Sequence, residues 1–278
     1  MVIFAVGFIV SLIPSIALYF WFKGLKSDQL YKVSCKKAFI NGLIAVFPVI
    51  LLSAIFALLK NLLFANVNPL LYAAVHCFIV LALAEELAKY FMGRKTIDKM
   101  INSVSWLDLI IFMGIVGIGF GIAENIPYAI ESSPLAMLIR GFTIGHGVYG
   151  MMTGYFLGKI MKDGKSGRWQ GLLAIVPAWL IHGLYDFGLS QEIEVLGDWT
   201  AIISVSLAVF ELIMLIVFIL FIRKARNDEK YTAPLLAAVA GGGTVAADAG
   251  AGAVAGAIVT DAAESAKTIS ESQCGRFA

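Results

Sequence analysis

Apolar runs with few or no charges recur along the chain at Val2–Phe22, Ala38–Leu59, Pro69–Phe91, Trp106–Ile130, Pro134–Met161, Trp169–Leu189 and Trp199–Ile222. Each reaches the roughly 20 residues that a helix needs to cross the hydrocarbon core of a bilayer. Short polar connections separate them. The pattern predicts about seven transmembrane helices and an all-α, polytopic membrane protein. The first run has no basic stretch ahead of it, is too long for the apolar core of a signal peptide and lacks a small-residue cleavage site after it. It is expected to stay as a helix.

The connections alternate in charge. One side carries Lys23, Lys26, Lys32, Lys36 and Lys37, then Arg94, Lys95 and Lys99, then Lys159, Lys162, Lys165 and Arg168, then Arg223, Lys224, Arg226 and Lys230. The other side carries Lys60, Glu131, Glu192, Glu194 and Asp198. Sixteen basic residues against one place the basic side in the cytoplasm, with the N-terminus outside and the C-terminus inside. Residues 1–230 therefore read as an integral membrane domain. Residues 231–278 read as an Ala/Gly-rich cytoplasmic tail, because Gly at that density weakens a helix and Leu, Ile and Phe are scarce.

Composition removes the soluble alternatives. The 278 residues are 60% hydrophobic and only 14% charged, with a mean hydropathy of +0.87. Soluble domains average about 45–50% apolar and about 25% charged residues, and a chain this apolar lacks the polar surface to enclose a single core. A soluble enzyme, a secreted disulfide scaffold and a nucleic-acid binder all fit this composition poorly, while the net charge of +2 by itself says nothing about partners. Cys35, Cys77 and Cys274 are far apart and never spaced as CxxC, so they are expected to be free thiols.

Ionisable groups inside spans are costly, and each needs a polar cavity or a partner. Asp108 lies within a turn of the cytoplasmic boundary, Arg140 is placed to snorkel, and His76 and Glu211 read as structural hydrogen-bonding groups. The others fall into constellations. In Glu85-Glu86-Leu87-Ala88-Lys89, the lysine sits at an azimuth between the two carboxylates. It can hold one ionised while the other keeps a proton or activates water; an ion cluster snorkelling at the helix end is the plainer alternative. In the next span, Gly117-x-x-x-Gly121 opens a close helix contact on the face bearing Glu124, with Asn125 beside it and Pro127 positioned to kink the helix. His146 heads a stripe with Gly150, Gly154 and Gly158. His182 and Asp186 form an i, i+4 pair in which the carboxylate is expected to take the Nδ1 proton and leave Nε2 for a metal, water or substrate.

Acids, a cation and imidazoles converging from four spans are the ingredients of water activation and amide cleavage. The motifs Glu85-Glu86-x-x-Lys89, Gly119-Phe120-Gly121-x-x-Glu124-Asn125, His146 and His182-x-x-x-Asp186 occur in this order over about residues 74–188, and there the chain resembles the PrsW-type intramembrane proteases. These are related to the CAAX prenyl proteases and bacteriocin-processing membrane proteins. The resemblance implies an intramembrane endopeptidase acting on a membrane-tethered, anti-sigma-factor-like protein at an extracytoplasmic site during stress signalling. It implies that Glu85, Glu86, Glu124, His146 and His182 line the catalytic site, with Lys89, Asn125 and Asp186 in support. Glutamates would activate water, and the histidines would stabilise the oxyanion or hold a metal. Zinc is the candidate ion, with His146, His182 and Glu124 its candidate ligands, although no obligatory metal is expected because Glu124 lies deep. Two other classes share these ingredients: a proton-coupled transporter, which usually shows an inverted repeat not evident here, and a catalytically idle immunity or scaffold protein of the same fold.

Depth along the helices raises one difficulty. At about 1.5 Å per residue, Glu86 lies on the order of 12 Å from Arg94, and Glu124 on the order of 27 Å from Trp106. Straight helices bounded at those residues leave the two carboxylates apart. Either tilt, a kink or an extended start to the third span closes the gap, or only one carboxylate is catalytic, in which case the Glu85/Glu86 pair is retained.

The orientation has a direct test. A Cys introduced at Gly197 is expected to react with an impermeant maleimide from outside, and one at Gly164 only after permeabilisation. The reverse labelling would invert the topology.

Overall fold

In the computed structural model, which describes residues 2–64, 66–131, 144–165, 167–190 and 199–235, the chain is helical with no strand among the described residues. Helix α1 covers Val2–Lys23 and α2 Gln29–Phe64. Helix α3, Pro69–Ala74, runs into a π-helical segment, Val75–Leu83, and on into α4, Ala84–Ile97. Helix α5 is Trp106–Glu131, α6 Gly145–Lys162, α7 Val176–Leu189, α8 Trp199–Ala225 and α9 Glu229–Thr232.

Local chemistry starts these helices where the sequence allows. Asn68 Oδ1 accepts from the backbone N–H of Leu70 and Leu71, and Pro69 follows in the first helical position, where its missing N–H costs nothing. Ser105 and Asp108 cap α5 reciprocally. The Ser105 N–H donates to Asp108 Oδ2 at 3.1 Å, and the Asp108 N–H donates to Ser105 Oγ at 3.2 Å. Lys26 adds an ion pair to Asp108 at 2.6 Å, so this buried carboxylate ties the turn after α1 to the start of α5.

Among the described residues, five helical stretches are long and apolar enough to cross a membrane: 29–60, 69–100, 106–128, 170–189 and 205–225. Helix α1 contributes a shorter apolar stretch over Phe8–Lys23. The expected span from Pro134 is described only from Ile144. Its first part, with Arg140, lies outside the described residues, as do Glu192, Glu194, Asp198, Cys274 and the tail beyond residue 235. Cys35 and Cys77 are free thiols, both buried.

Helix α5 is the centre of the bundle. Its apolar window is 83% buried, against 22–39% for the other four spans. A helix that is hydrophobic all round belongs inside; the others turn side chains such as Phe47, Leu51, Leu58, Val205 and Leu220 outward, where lipid takes them up.

Glycines let α5 be surrounded. A Cβ on Gly117 would collide with the carbonyl of His146, and one on Gly150 with the carbonyl of Met113. Cβ atoms on Gly154 and Gly158 would collide with the backbone of Leu109 and the ring of Trp106. The stripe running down α6 from His146 is therefore the seam against α5, at the backbone distance that small residues permit. On the opposite face of α5, Gly119 meets the backbone of α2 at Phe39 and Gly42.

The third span ends later than its charges suggest. Arg94 is buried, and its Nε and Nη2 bond Asp98 Oδ1 at 3.0 and 2.9 Å. Asp98 also pairs with Arg168, and Tyr90 Oη donates to the Arg168 carbonyl at 2.6 Å. The helical course reaches Met100, which puts Glu86 on the order of 21 Å from that end and removes most of the depth difference from Glu124.

Gly150→Val should separate α5 from α6. The expected outcome is a loss of about 1–3 kcal/mol or more, read as a lower thermal midpoint in detergent, whereas Leu58→Ala on the lipid-facing surface should leave the midpoint nearly unchanged.

Candidate active site

Four elements bring their polar residues to one buried point. Helix α4 supplies Glu85, Glu86 and Lys89, which are 4%, 1% and 1% exposed. Those values exclude the snorkelling alternative, since none of the three reaches the helix end. Lys89 Nζ lies 2.6 Å from Glu86 Oε1 but 4.0 Å from Glu85 Oε2, so the ammonium belongs chiefly to Glu86. It sits over the Phe120 ring, 4.8 Å from the centroid.

His146 stands in the first turn of α6. Its Nδ1 accepts from Lys89 Nζ at 3.2 Å, because an ammonium can only donate, which leaves Nε2–H to bond the Glu124 carboxylate. The same Nδ1 is 3.8 Å from Glu85 Oε2. Glu124 thus reaches the site through His146, on the α5 face cleared by Gly117 and Gly121, where a Cβ on Gly121 would stand 3.0 Å from the imidazole Cδ2. Asn125 is buried and lines a cavity together with His146, His182 and Asp186.

His182 on α7 corrects the expected hydrogen-bond order. Its Nδ1 lies 2.9 Å from Glu86 Oε1, the geometry in which the ring N–H donates to that carboxylate. Asp186 Oδ2 is 3.4 Å from Nε2 instead. The tautomer is therefore oriented by Glu86 on the neighbouring helix rather than by Asp186 on its own, because the imidazole is aimed across the helix pair. Nε2 is 3.6 Å from Glu85 Oε2.

Glu85 Oε2 is buried and has no hydrogen-bond partner. It faces His146 Nδ1 and His182 Nε2, and the three residues offer ligand atoms within 4.8 Å of one another. The other nitrogen of each imidazole points at a carboxylate, Glu124 or Glu86, the arrangement that orients metal-binding histidines. This donor set fits a metal ion. Its third member is Glu85, where the sequence suggested Glu124. An ion at His146 Nδ1 would have to displace the Lys89 contact.

Two residues near the site were not singled out as functional from the sequence. Tyr149, one turn after His146, stacks on His182 with ring centroids 4.7 Å apart and an interplanar angle of 24°. Glu211 on α8 accepts the Tyr149 hydroxyl and lines the same cavity as His146, His182 and Asp186. The signals were present, a tyrosine three residues after His146 and a lone carboxylate in an apolar span, but neither forms a motif within its own helix. His76, by contrast, clusters with the rings of Phe56 and Tyr72.

A family profile described as "PrsW family intramembrane metalloprotease" matches residues 34–222, a stretch that begins in α2, ends in α8 and contains every residue of the site. The chain belongs to the PrsW family. Protease PrsW of Halalkalibacterium halodurans is 32% identical over 181 residues, 63% of this chain and 80% of that protein. Protease PrsW of Clostridioides difficile is 28% identical over 240 residues, 81% of this chain and 90% of that protein. Protease PrsW of Bacillus subtilis is 27% identical over 192 residues, 67% and 82% of the two chains. No solved structure matches. PrsW membership makes this chain an integral, multi-pass membrane protease, and the carrier reading falls away.

Proposed function

We propose that the chain hydrolyses a peptide bond of a membrane-tethered protein, with Glu85, Glu86, Glu124, His146 and His182 at the reacting centre and Lys89, Asn125 and Asp186 in support. The observation that carries this reading is Glu85 Oε2, a buried carboxylate oxygen without a hydrogen bond, between two imidazole nitrogens. Glu86 is committed to Lys89 and His182, so Glu85 is the group available to take a proton from water. The water oxygen then bonds the scissile carbonyl carbon, the C–N bond breaks, and the proton passes from Glu85 to the departing amide nitrogen. His182, held by Glu86, and His146, held by Glu124, have their neutral-ring N–H groups given to those carboxylates, so each offers a further N–H to the developing oxyanion only in its protonated form.

Glu85, His146 and His182 would hold a zinc ion, which when bound supplies Lewis acidity and makes water a better acid. The same carboxylate oxygen cannot both ligate an ion and take the proton, so metal content decides which part Glu85 plays. With the basic side in the cytoplasm, the cut is proposed to lie on the outer side, in a membrane-tethered, anti-sigma-factor-like protein. The tail over 231–278 is proposed as a cytoplasmic appendage outside the reaction.

In purified protein acting on membrane-anchored substrates, Glu85→Gln should abolish turnover in either role, because an amide neither accepts the water's proton nor ligates as a carboxylate does. Retention of wild-type cleavage would remove Glu85 from the mechanism. If zinc is bound by this set, metal analysis should find one ion per chain, and Glu86→Gln should weaken its binding about 10- to 100-fold. Full activity in metal-free, chelator-treated protein would instead assign Glu85 as the base.

A further inference from the structure

Glu211 is a carboxylate only 2% exposed in a membrane span, a placement that costs several kcal/mol without a compensating role. Its surroundings point to one. It accepts the hydroxyl of Tyr149. It packs against Gly145, where an added Cβ would stand 2.5 Å from Glu211 Oε1, so the first turn of α6 fits under α8 only because that residue has no side chain. The residue before it, Ile144, has φ 50° and ψ 37°, a left-handed conformation that is an outlier for a β-branched side chain. The chain entering His146 is thus held in a strained turn directly beside this carboxylate, and such strain persists only where the surroundings over-determine it.

The Tyr149 ring completes the link. It lies nearly parallel to His182 at 4.7 Å and edge-on to His146 at 6.1 Å, so it forms a wall against both imidazoles. A tyrosine ring restrained at one end by the packing of α6 and at the other by a buried carboxylate cannot swing away from His182. Its hydroxyl is spent on Glu211 rather than offered to substrate.

We propose that Glu211 is a positioning residue: it fixes Tyr149, and through that ring it sets the orientation of His182, so that α8 is a working wall of the site although it carries none of the motifs. The proposal rests on the catalytic reading of His182 given above, but its geometry can be read independently of turnover.

The chain contains three histidines, so full-length protein labelled with 15N-histidine in detergent yields a resolvable set of ring-nitrogen signals. Glu211→Leu should move the signals of His182 and leave those of His76, which clusters with Phe56 and Tyr72 away from the cavity, in place. It should lower kcat about 10-fold or more with KM changed by less than about 2-fold. Glu211→Gln still offers the hydroxyl an acceptor and should restore most of both. Unmoved His182 signals in Glu211→Leu, or a raised KM with intact kcat, would overturn the proposal. If Glu211→Leu does not fold, Tyr149→Phe reads the same link, since it keeps the ring and removes the hydroxyl; unmoved His182 signals there would also overturn it. Shifted His182 signals in a protein that cleaves no membrane-anchored substrate would support the positioning role while refuting the protease chemistry assigned to the site.

Discussion

The contact between α5 and α6 is made at backbone distance, and the positions of the clustered carboxylates and imidazoles follow from it. Where side chains of ordinary size separate two helices, a histidine in the first turn of one cannot reach past its neighbour to a third element. Here Gly117 and Gly150 let each helix rest on a carbonyl of the other. His146 is thereby pressed beside Gly121, with one ring nitrogen on Glu124 of α5 and the other towards Glu85 and Lys89 of α4. Lipid offers no hydrophobic drive for helices to associate, so close packing of this kind has to supply cohesion as well as geometry. The glycines serve structure and site at once.

Burying three glutamates, a lysine and two histidines together is tolerable because their charges face one another. A lone ion in the bilayer core costs several kcal/mol, whereas Lys89 sits between an ion pair with Glu86, a hydrogen bond to His146 and the face of Phe120. The allocation is uneven. Glu86 takes the ammonium and the His182 N–H, while one oxygen of Glu85 is left without a hydrogen bond. In a site that satisfied every group, nothing would be available for water or a cation; the unevenness is what gives the cluster chemical capacity.

Much of this was legible in the sequence. The glycine spacing named the face of α5 that meets α6, the paired glutamates with Lys89 marked the helix that brings two carboxylates and an ammonium to the cluster, and the motif order identified the family. What escaped depended on relations between helices. His182 and Asp186 share a face, so sequence spacing couples them, yet the imidazole Nδ1 turns to Glu86 on another helix. Arg94 looked like a membrane boundary because an arginine usually seeks water; buried and bound to Asp98, it marks an interior position, and the depth argument built on it shifted accordingly. Tyr149 and Glu211 lie on helices joined only by packing, and no periodicity along one chain segment encodes a contact between two.

The wide helical turn ahead of the glutamates shows how the fold keeps α7 in register with α4. Residues 75–83 are π-helical, a form uncommon in long runs and frequent next to functional sites because it re-aims the residues that follow. Its altered hydrogen-bond pattern needs support in a membrane, where an unpaired carbonyl is costly. Trp179 of α7 supplies it by donating its indole N–H to the Phe78 carbonyl at 2.6 Å. One turn further along α7, Gly183 makes room for the Phe78 ring, which an added Cβ would strike. Trp179 and Gly183 therefore lock α7 onto the irregular segment, and His182, next to Gly183, is delivered opposite Glu86 rather than one turn away. The irregularity and the indole that stabilises it set the register on which the hydrogen bond between His182 and Glu86 depends.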